Sequence, residues 1–170
     1  MLKEIKERRS CRKFDPNRMP SDEDINKLVE AGLNAPSGMN LQESVIVVIK
    51  DKAKRDALMR LNMSILGRKG DGFYGAPLIF LIMNKKSKFA QYDGALVIEN
   101  ILLEATHLGL GSIWIHRAKE ELESPEIKNI LMDLPINLDE YEGIGHVALG
   151  YSLMEKYPEK IIKPNRVYKI

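Results

Sequence analysis

Residues 78–115, LIFLIMNKKSKFAQYDGALVIENILLEATHLGLGSIWI, decide the fold class of this chain. Leu78–Met83 is an uninterrupted apolar run of strand length, which predicts a buried strand. Asp93–Leu108 has the length of a helix and is apolar nearly all round. Such a helix is normally buried, either in the centre of the fold or in a subunit interface. Gly109–Gly111 ends this helix before a short predicted strand, Ser112–Ile115.

The flanking sequence continues the alternation of helices and strands. Two further strands are predicted at Val45–Ile49, a β-branched run expected to be buried, and at Gly145–Leu149. Helices are predicted at about Leu2–Arg9, at Ser21–Leu33 with Ile25, Leu28, Val29 and Leu33 facing the core, at Asp51–Leu66, and from Ser124 onward. About four strands and five helices, without a repeat or a linker, indicate a single domain over residues 1–170 of α+β or three-layer α/β class.

Composition narrows the class of protein. The chain has 170 residues, of which 44% are hydrophobic and 29% charged, as in a soluble globular protein. A net charge of only +2 excludes a generally basic nucleic-acid binder, so any basic site must be local. The single Cys11 excludes an internal disulfide and is expected to be a small buried residue. No signal peptide or membrane-spanning segment is recognisable, so a cytoplasmic location is expected.

A cationic stretch near the start of the chain is the main candidate for function. The arginine segment, Arg8-Arg9-Ser10-Cys11-Arg12-Lys13-Phe14, carries four cationic side chains and a hydroxyl within seven residues. Arginine presents a planar set of donors that fits phosphate oxygens two at a time. Cys11 and Phe14 interrupt the charges, so part of the segment should pack inward and fix the directions of the cations. We therefore predict a phosphate-binding segment of a cofactor site.

Most catalytic motifs are absent. The sequence has no G-x-G-x-x-G after a strand, no G-x-x-x-x-G-K-[ST] and no G-x-S-x-G. The three histidines lack metal-ligand spacing, and His107 and His146 are interpreted as structural. No catalytic residue and no metal ligand is therefore predicted. Gly67–Gly75 is a glycine-rich, basic loop that we expect to be mobile.

Several motifs occur in order along almost the whole chain: Arg8-Arg9-Ser10-x-Arg12-Lys13-Phe14, Ala35-Pro36-Ser37-Gly38-x-Asn40-x-Gln42, Asp93-x-Ala95, Gly109-Leu110-Gly111-Ser112-x-Trp114-Ile115-His116-Arg117 and Gly150-Tyr151. Together they resemble the FMN-dependent nitroreductase family. Membership would imply an α+β three-layer sandwich with a mostly antiparallel central sheet, and a homodimer with FMN at the subunit interface. It would also imply that NAD(P)H reduces nitroaromatic, quinone or related acceptors by a ping-pong hydride mechanism.

The resemblance also implies which residues hold the cofactor. Arg8, Arg9, Ser10 and Arg12 would bind the FMN phosphate and ribityl chain, with Lys163 and Arg166 returning to the phosphate from the C-terminus. Pro36, Ser37, Gly38, Asn40 and Gln42 would reach the ring from the other subunit. Trp114, Ile115, His116 and Arg117 would lie along the ring, where the family supplies a backbone N–H near the reactive nitrogen N5. The exit of the Pro36–Gln42 loop differs from the family, which often has Pro-Trp where this chain has Glu43-Ser44.

Two alternatives remain at this stage. One keeps the flavin and changes the reaction to dehalogenation, enoate reduction or flavin fragmentation. The other is a non-enzymatic protein that uses the arginine segment to bind an anionic ligand or nucleic acid. The small net charge, and the lack of aromatic residues interleaved with the arginines, make this the weaker alternative.

Overall fold

A four-stranded sheet with helices on both faces forms the protein, as described by a computed structural model of residues 1–170. The strands are β1 (Ser44–Ile49), β2 (Leu78–Lys85), β3 (Gly111–Ile115) and β4 (Tyr141–Gly150). The helices are α1 (Lys3–Glu7), α2 (Asp22–Leu33), α3 (Lys52–Leu66), α4 (Ala90–His107), α5 (Ala118–Glu123) and α6 (Pro125–Ile130). Single 3-10 turns cover Gly38–Asn40 and Leu138–Glu140.

The sheet is antiparallel throughout, in the order β1-β2-β4-β3. The central strands β2 and β4 are the most deeply buried, in agreement with the apolar run from Leu78 to Met83. The prediction of a buried strand at Val45–Ile49 is only partly right, because β1 lies at an edge of the sheet. Val45, Ile46 and Val48 are therefore half-buried, while Val47 and Ile49 are buried.

Two hydrophobic layers sandwich the sheet. Helices α2 and α4 pack on one face around Leu28, Phe80 and Ile101. Helices α3, α5 and α6 cover the other face around Leu58 and Ile127. This arrangement confirms the predicted α+β three-layer sandwich, with a sheet that is wholly rather than mostly antiparallel.

The N-terminal ends predicted for α2 and α3 are confirmed, because a side chain caps each helix there. Ser21 Oγ accepts a hydrogen bond from the Asp24 N–H at 3.1 Å, and Asp51 Oδ1 accepts one from the Lys54 N–H at 2.8 Å. The inward direction predicted for Leu33 is wrong, because this side chain at the end of α2 is 63% exposed.

The long helix α4 begins at Ala90, three residues before its predicted start, and is not buried all round. Val97, Ile98 and Ile101 face the core, whereas Tyr92 is 72% exposed and Leu96 is 43% exposed. Part of the apolar surface of this helix, around Tyr92 and Leu96, is thus not covered within the chain. No helix in the structure combines the length and the apolar character needed to cross a bilayer.

The glycine-rich loop is anchored in its second half. Phe73 is completely buried in the layer of α3. Asp71 accepts hydrogen bonds from the N–H groups of Phe73 at 2.8 Å and Gly75 at 2.9 Å, and pairs with the buried Arg55. These contacts do not favour the expected mobility for the whole of Gly67–Gly75. They hold the residues from Asp71 to Gly75 in place and leave those before Asp71 without such anchors.

Candidate functional site

The arginine segment lies against the free edge of β3. Ser10 forms an isolated parallel bridge with Ser112, and the Cys11 N–H donates to the Ser112 carbonyl at 2.9 Å. Cys11 and Phe14 are buried, while the side chain of Arg12 is exposed. The prediction that the apolar members pack inward is therefore confirmed.

The arginines of this segment have different surroundings. Arg9 donates to three backbone carbonyls, those of Lys6 and Arg8 at 2.8 Å each and that of Pro158 at 3.3 Å. The guanidinium groups of Arg8 and Arg12 have neither a hydrogen-bond acceptor nor a carboxylate partner in the chain. Arg8 and Arg12 are thus available to an anion, whereas Arg9 ties the N-terminal segment to the C-terminal tail.

The tail runs back over the arginine segment before it leaves the surface. The Leu153 N–H donates to the Lys13 carbonyl at 2.9 Å, and the Tyr157 hydroxyl donates to Ser152 Oγ at 2.7 Å. Burial raises the pKa of the Tyr157 phenol above its ordinary value. Beyond this point Lys163 and Arg166 are exposed and form no salt bridge within the chain, so their contact with a phosphate stays a prediction.

The Pro36–Gln42 loop is held at the start of α4. The Gly38 N–H donates to Asp93 Oδ1 at 2.9 Å, and a Cβ at Gly38 would lie only 2.7 Å from the ring of Phe89. Ser37 Oγ accepts from the Gln42 N–H at 3.0 Å, which closes the loop on itself.

The backbone of this loop is unusual. Three residues without the freedom of glycine have left-handed φ angles: Met39 at 54°, Asn40 at 56° and Gln42 at 51°. Conformations of this kind cost about 1 kcal/mol or more each and cluster at functional sites. Pro36, Asn40 and Gln42 are exposed, and the side-chain amide of Gln42 donates to Asn40 Oδ1 at 2.8 Å within the loop.

The Trp114–Arg117 segment forms the end of β3 and the turn that follows. Trp114 is 52% exposed and lies edge-on to His116, with ring centroids 5.9 Å apart. Its indole covers Gly145 of β4 so closely that a Cβ there would overlap Nε1. Arg117 has a left-handed φ of 87° and directly precedes α5, whose first residue lies close to Gly143 of β4. Ile115 is half-buried against the core.

A cleft of about 470 Å³ separates this segment from α4. Trp114, His116 and Arg117 line one wall. Residues that the sequence interpretation did not assign complete it: Gln91, Ala95, Ile98, Glu99, Leu102, Lys119, Glu120, Gly143 and Ile144. The only sequence signal for this wall was the polar Glu99 within a helix that is otherwise apolar.

The structure therefore assembles two of the predicted parts in one chain. The arginine segment and the Trp114–Arg117 segment meet along β3, because Ser10 pairs with Ser112 two residues before Trp114. The Pro36–Gln42 loop is held at the N-terminal end of α4, and none of its residues lines the cleft.

Comparison with known proteins identifies the family. The model of the Nitroreductase family matches residues 5–69 and 62–151 in two overlapping segments. The chain belongs to the nitroreductase family. A protein of Archaeoglobus fulgidus named as an NADH dehydrogenase/NAD(P)H nitroreductase is 30% identical over 175 residues, which cover 99% of this chain and 96% of that protein.

Solved structures of two relatives share the fold of this nitroreductase-family chain. A nitroreductase with bound FMN from Bacteroides fragilis superposes with a TM-score of 0.86 at 30% identity, over 98% of this chain and 96% of that one. A nitroreductase with bound FMN from Desulfitobacterium hafniense has the same TM-score at 27% identity and is covered completely, as is this chain. The resemblance inferred from the motifs is therefore confirmed at the level of family and fold.

Proposed function

We propose that the protein is an FMN-dependent oxidoreductase that uses NAD(P)H to reduce nitroaromatic compounds, quinones or related acceptors. The observation that carries the proposal is the pair of unpaired arginines, Arg8 and Arg12, beside β3 in a chain whose relatives were solved with FMN. When bound, FMN supplies the two-electron chemistry, so the chain needs no catalytic acid or nucleophile of its own.

The residues of the arginine segment fit a phosphate. A phosphate carries nearly two negative charges and is best held by guanidinium groups that have no other partner. Arg8 and Arg12 meet this requirement, and Ser10 adds a hydroxyl beside them. We assign Arg9 a different role, since its Nε and Nη1 donors are used on backbone carbonyls. It would hold the tail from which Lys163 and Arg166 reach the phosphate.

The Trp114–Arg117 segment fits a flavin ring. It offers an exposed indole, the imidazole of His116 and backbone groups at a strained turn, next to a cleft walled by α4. In this proposal Ile115 supports the wall from behind. The residues Pro36, Ser37, Gly38, Asn40 and Gln42 would close the site from a second copy of the chain, since their loop lies away from this wall.

The proposal therefore includes a homodimer with FMN at its interface. Large apolar side chains exposed on α4, notably Tyr92 and Leu96, support it, since monomers rarely expose continuous apolar patches. Four apolar residues of the tail are also exposed: Ile161, Ile162, Val167 and Ile170. We predict that Leu96→Glu yields monomers in sedimentation analysis and loses FMN, whereas Met132→Glu, which charges another exposed apolar position, yields dimers that keep it. A dimeric Leu96→Glu protein with full FMN content would contradict this assignment.

The proposal treats residues 1–170 as a single FMN-binding domain that works in the cytoplasm, where NAD(P)H is available. Purified protein should be yellow or should take up FMN stoichiometrically. It should oxidise NADH or NADPH only when an acceptor is present, and initial rates against both substrates should give the parallel lines of a ping-pong enzyme. Failure to bind FMN would refute the proposal. A screen of nitroaromatic, quinone, halogenated and enoate acceptors then distinguishes its reaction from that of other flavin enzymes.

A further inference from the structure

A buried polar network lies behind the Trp114–Arg117 segment. Glu121 of α5 and His146 of β4 are completely buried, and Asn62 of α3 is nearly so. The Nε2 atom of His146 lies 2.6 Å from Glu121 Oε2. The Asn62 amide nitrogen donates both to Glu121 Oε1 and to the backbone carbonyl of His116, the latter at 3.0 Å. Three distant parts of the chain are thus connected to one peptide group of the turn.

The orientation of the Asn62 amide follows from its partners. A carboxylate and a backbone carbonyl only accept hydrogen bonds, so the NH₂ group must face both, and each of its two hydrogens has one acceptor. Glu121 fixes the first hydrogen and thereby directs the second at His116. His146 binds the other carboxylate oxygen of Glu121, Oε2. Its ring also packs against that of Phe73, with centroids 5.4 Å apart.

Stability alone does not account for this network. Burying a carboxylate is unfavourable unless its charge is balanced, and replacing a buried charged network with apolar side chains of similar volume is often neutral or stabilising. The Nδ1 atom of His146 is also buried without any hydrogen-bond partner. The network therefore carries a penalty that the core itself does not require, and its one side-chain hydrogen bond outside the trio is with the His116 carbonyl.

The geometry of the peptide bond relates that contact to the cleft. The C=O of His116 and the N–H of Arg117 belong to one planar trans peptide group, so they point in opposite directions. Because the carbonyl points at Asn62, the Arg117 N–H points away from Asn62, and Arg117 itself lines the cleft. No acceptor within the chain receives a hydrogen bond from this N–H.

We infer that Asn62, fixed by Glu121 and His146, is a positioning residue that aims the Arg117 N–H into the cleft as a donor to the cofactor ring. This inference rests on the proposed function, because the acceptor would be N5 of the flavin. Oxidised N5 carries an acceptor lone pair, and reduction places a hydrogen there. A well-aimed N–H therefore favours the oxidised form, and its loss should raise the midpoint potential.

The test compares Asn62→Leu with Leu58→Ala. Asn62→Leu keeps the number of heavy atoms and the branching of the side chain and removes both hydrogen bonds. Leu58→Ala, one turn earlier on the same helix, opens the same core layer and leaves the His116 contact intact. Both variants should lower the thermal midpoint. The dissociation constants of oxidised and reduced FMN, together with the potential of the bound flavin, are then measured for each.

We expect Asn62→Leu to change the ratio of the two dissociation constants about tenfold, a positive shift of about 30 mV for a two-electron couple. The rate constant for flavin reduction by NADH should change with it, while Leu58→Ala keeps both values. An unchanged ratio in Asn62→Leu, or an equal change in Leu58→Ala, would overturn the inference. If Asn62→Leu does not fold, Asn62→Ser, which also cannot reach the carbonyl, is judged by the same criteria. A wild-type protein that takes up no FMN would overturn the proposed function, and this inference with it.

Discussion

Reversing the charge of Arg12 is the perturbation that best separates cofactor binding from folding. The Arg12 side chain is exposed and has no partner in the chain, so Arg12→Glu removes no internal interaction. We therefore expect an unchanged thermal midpoint and an unchanged oligomeric state. The effect should appear in the affinity for FMN alone.

The size of that effect follows from the exposure of Arg12. Two unit charges about 4 Å apart in water interact with about 1 kcal/mol. Exchanging +1 for −1 beside a phosphate of charge near −2 changes this by about four such units, or about 4 kcal/mol. Physiological salt, with a Debye length of about 8 Å, reduces the change to about 2.4 kcal/mol. The Kd for FMN should therefore rise about 50-fold in physiological salt and more in dilute buffer.

Quenching of FMN fluorescence, titrated at two salt concentrations, measures this change. Arg60→Glu is the matched control, since it alters the net charge equally at an exposed position of α3 outside the proposed site. An FMN affinity within about threefold of the wild type would remove Arg12 from the site. Equal losses in both variants would show that only the overall charge matters.

Three further changes test other parts of the structure. Phe73→Ala should lower the free energy of unfolding in urea by about 3–5 kcal/mol and speed proteolysis of the glycine-rich loop, because this buried ring anchors the loop; an unchanged cleavage rate would contradict the anchoring. The Glu4 carboxylate accepts hydrogen bonds from its own backbone N–H and from His107, which lowers its pKa. Its stabilising effect is therefore fully present above the ordinary pKa of glutamate and is lost as the pH falls through the lowered value, so Glu4→Gln should reduce the thermal midpoint at pH 7, and this reduction should shrink as the pH is lowered. Gly145→Ala should displace Trp114, shift the emission of this only tryptophan and weaken FMN binding; an unshifted spectrum would show that the indole does not lie over Gly145.

Short sequence patterns correctly predicted those helices and strands whose formation depends on neighbouring residues. The buried run of β2 and the side-chain caps at Ser21 and Asp51 lie where the sequence placed them, because each depends on residues close together in the chain. The half-exposure of β1 could not be predicted in this way. Strand order is set by long-range pairing, and an apolar strand looks the same at an edge as at the centre.

Helix α5 was missed for a related reason. Its sequence, AKEELE, is too short and too polar to show an apolar stripe. The buried residues that hold it are Ala118 and Glu121, and the latter is the acceptor for Asn62 and His146. On sequence, Glu121 reads as an ordinary surface glutamate.

The sequence predicted the segments that form the candidate site, but it could not predict how these segments are arranged in space. The motifs indicated the arginine segment, the Pro36–Gln42 loop and the Trp114–Arg117 segment. The use of Arg9 on backbone carbonyls depends on where the tail returns, and Pro158 is 149 residues away. The contact between Asn62 and His116 likewise joins residues 54 positions apart.

An anaerobic titration in two steps tests whether bound FMN takes electrons from NAD(P)H and passes them to an acceptor. FMN-loaded protein is first mixed with NADH or NADPH, freed of nicotinamide nucleotide, and then mixed with a nitroaromatic or quinone acceptor. For the proposed oxidoreductase, we expect the first step to bleach the visible absorbance of one bound flavin per chain and the second step to restore it. A protein that binds no FMN, or whose bound FMN is bleached by dithionite but by neither nucleotide, would contradict the account.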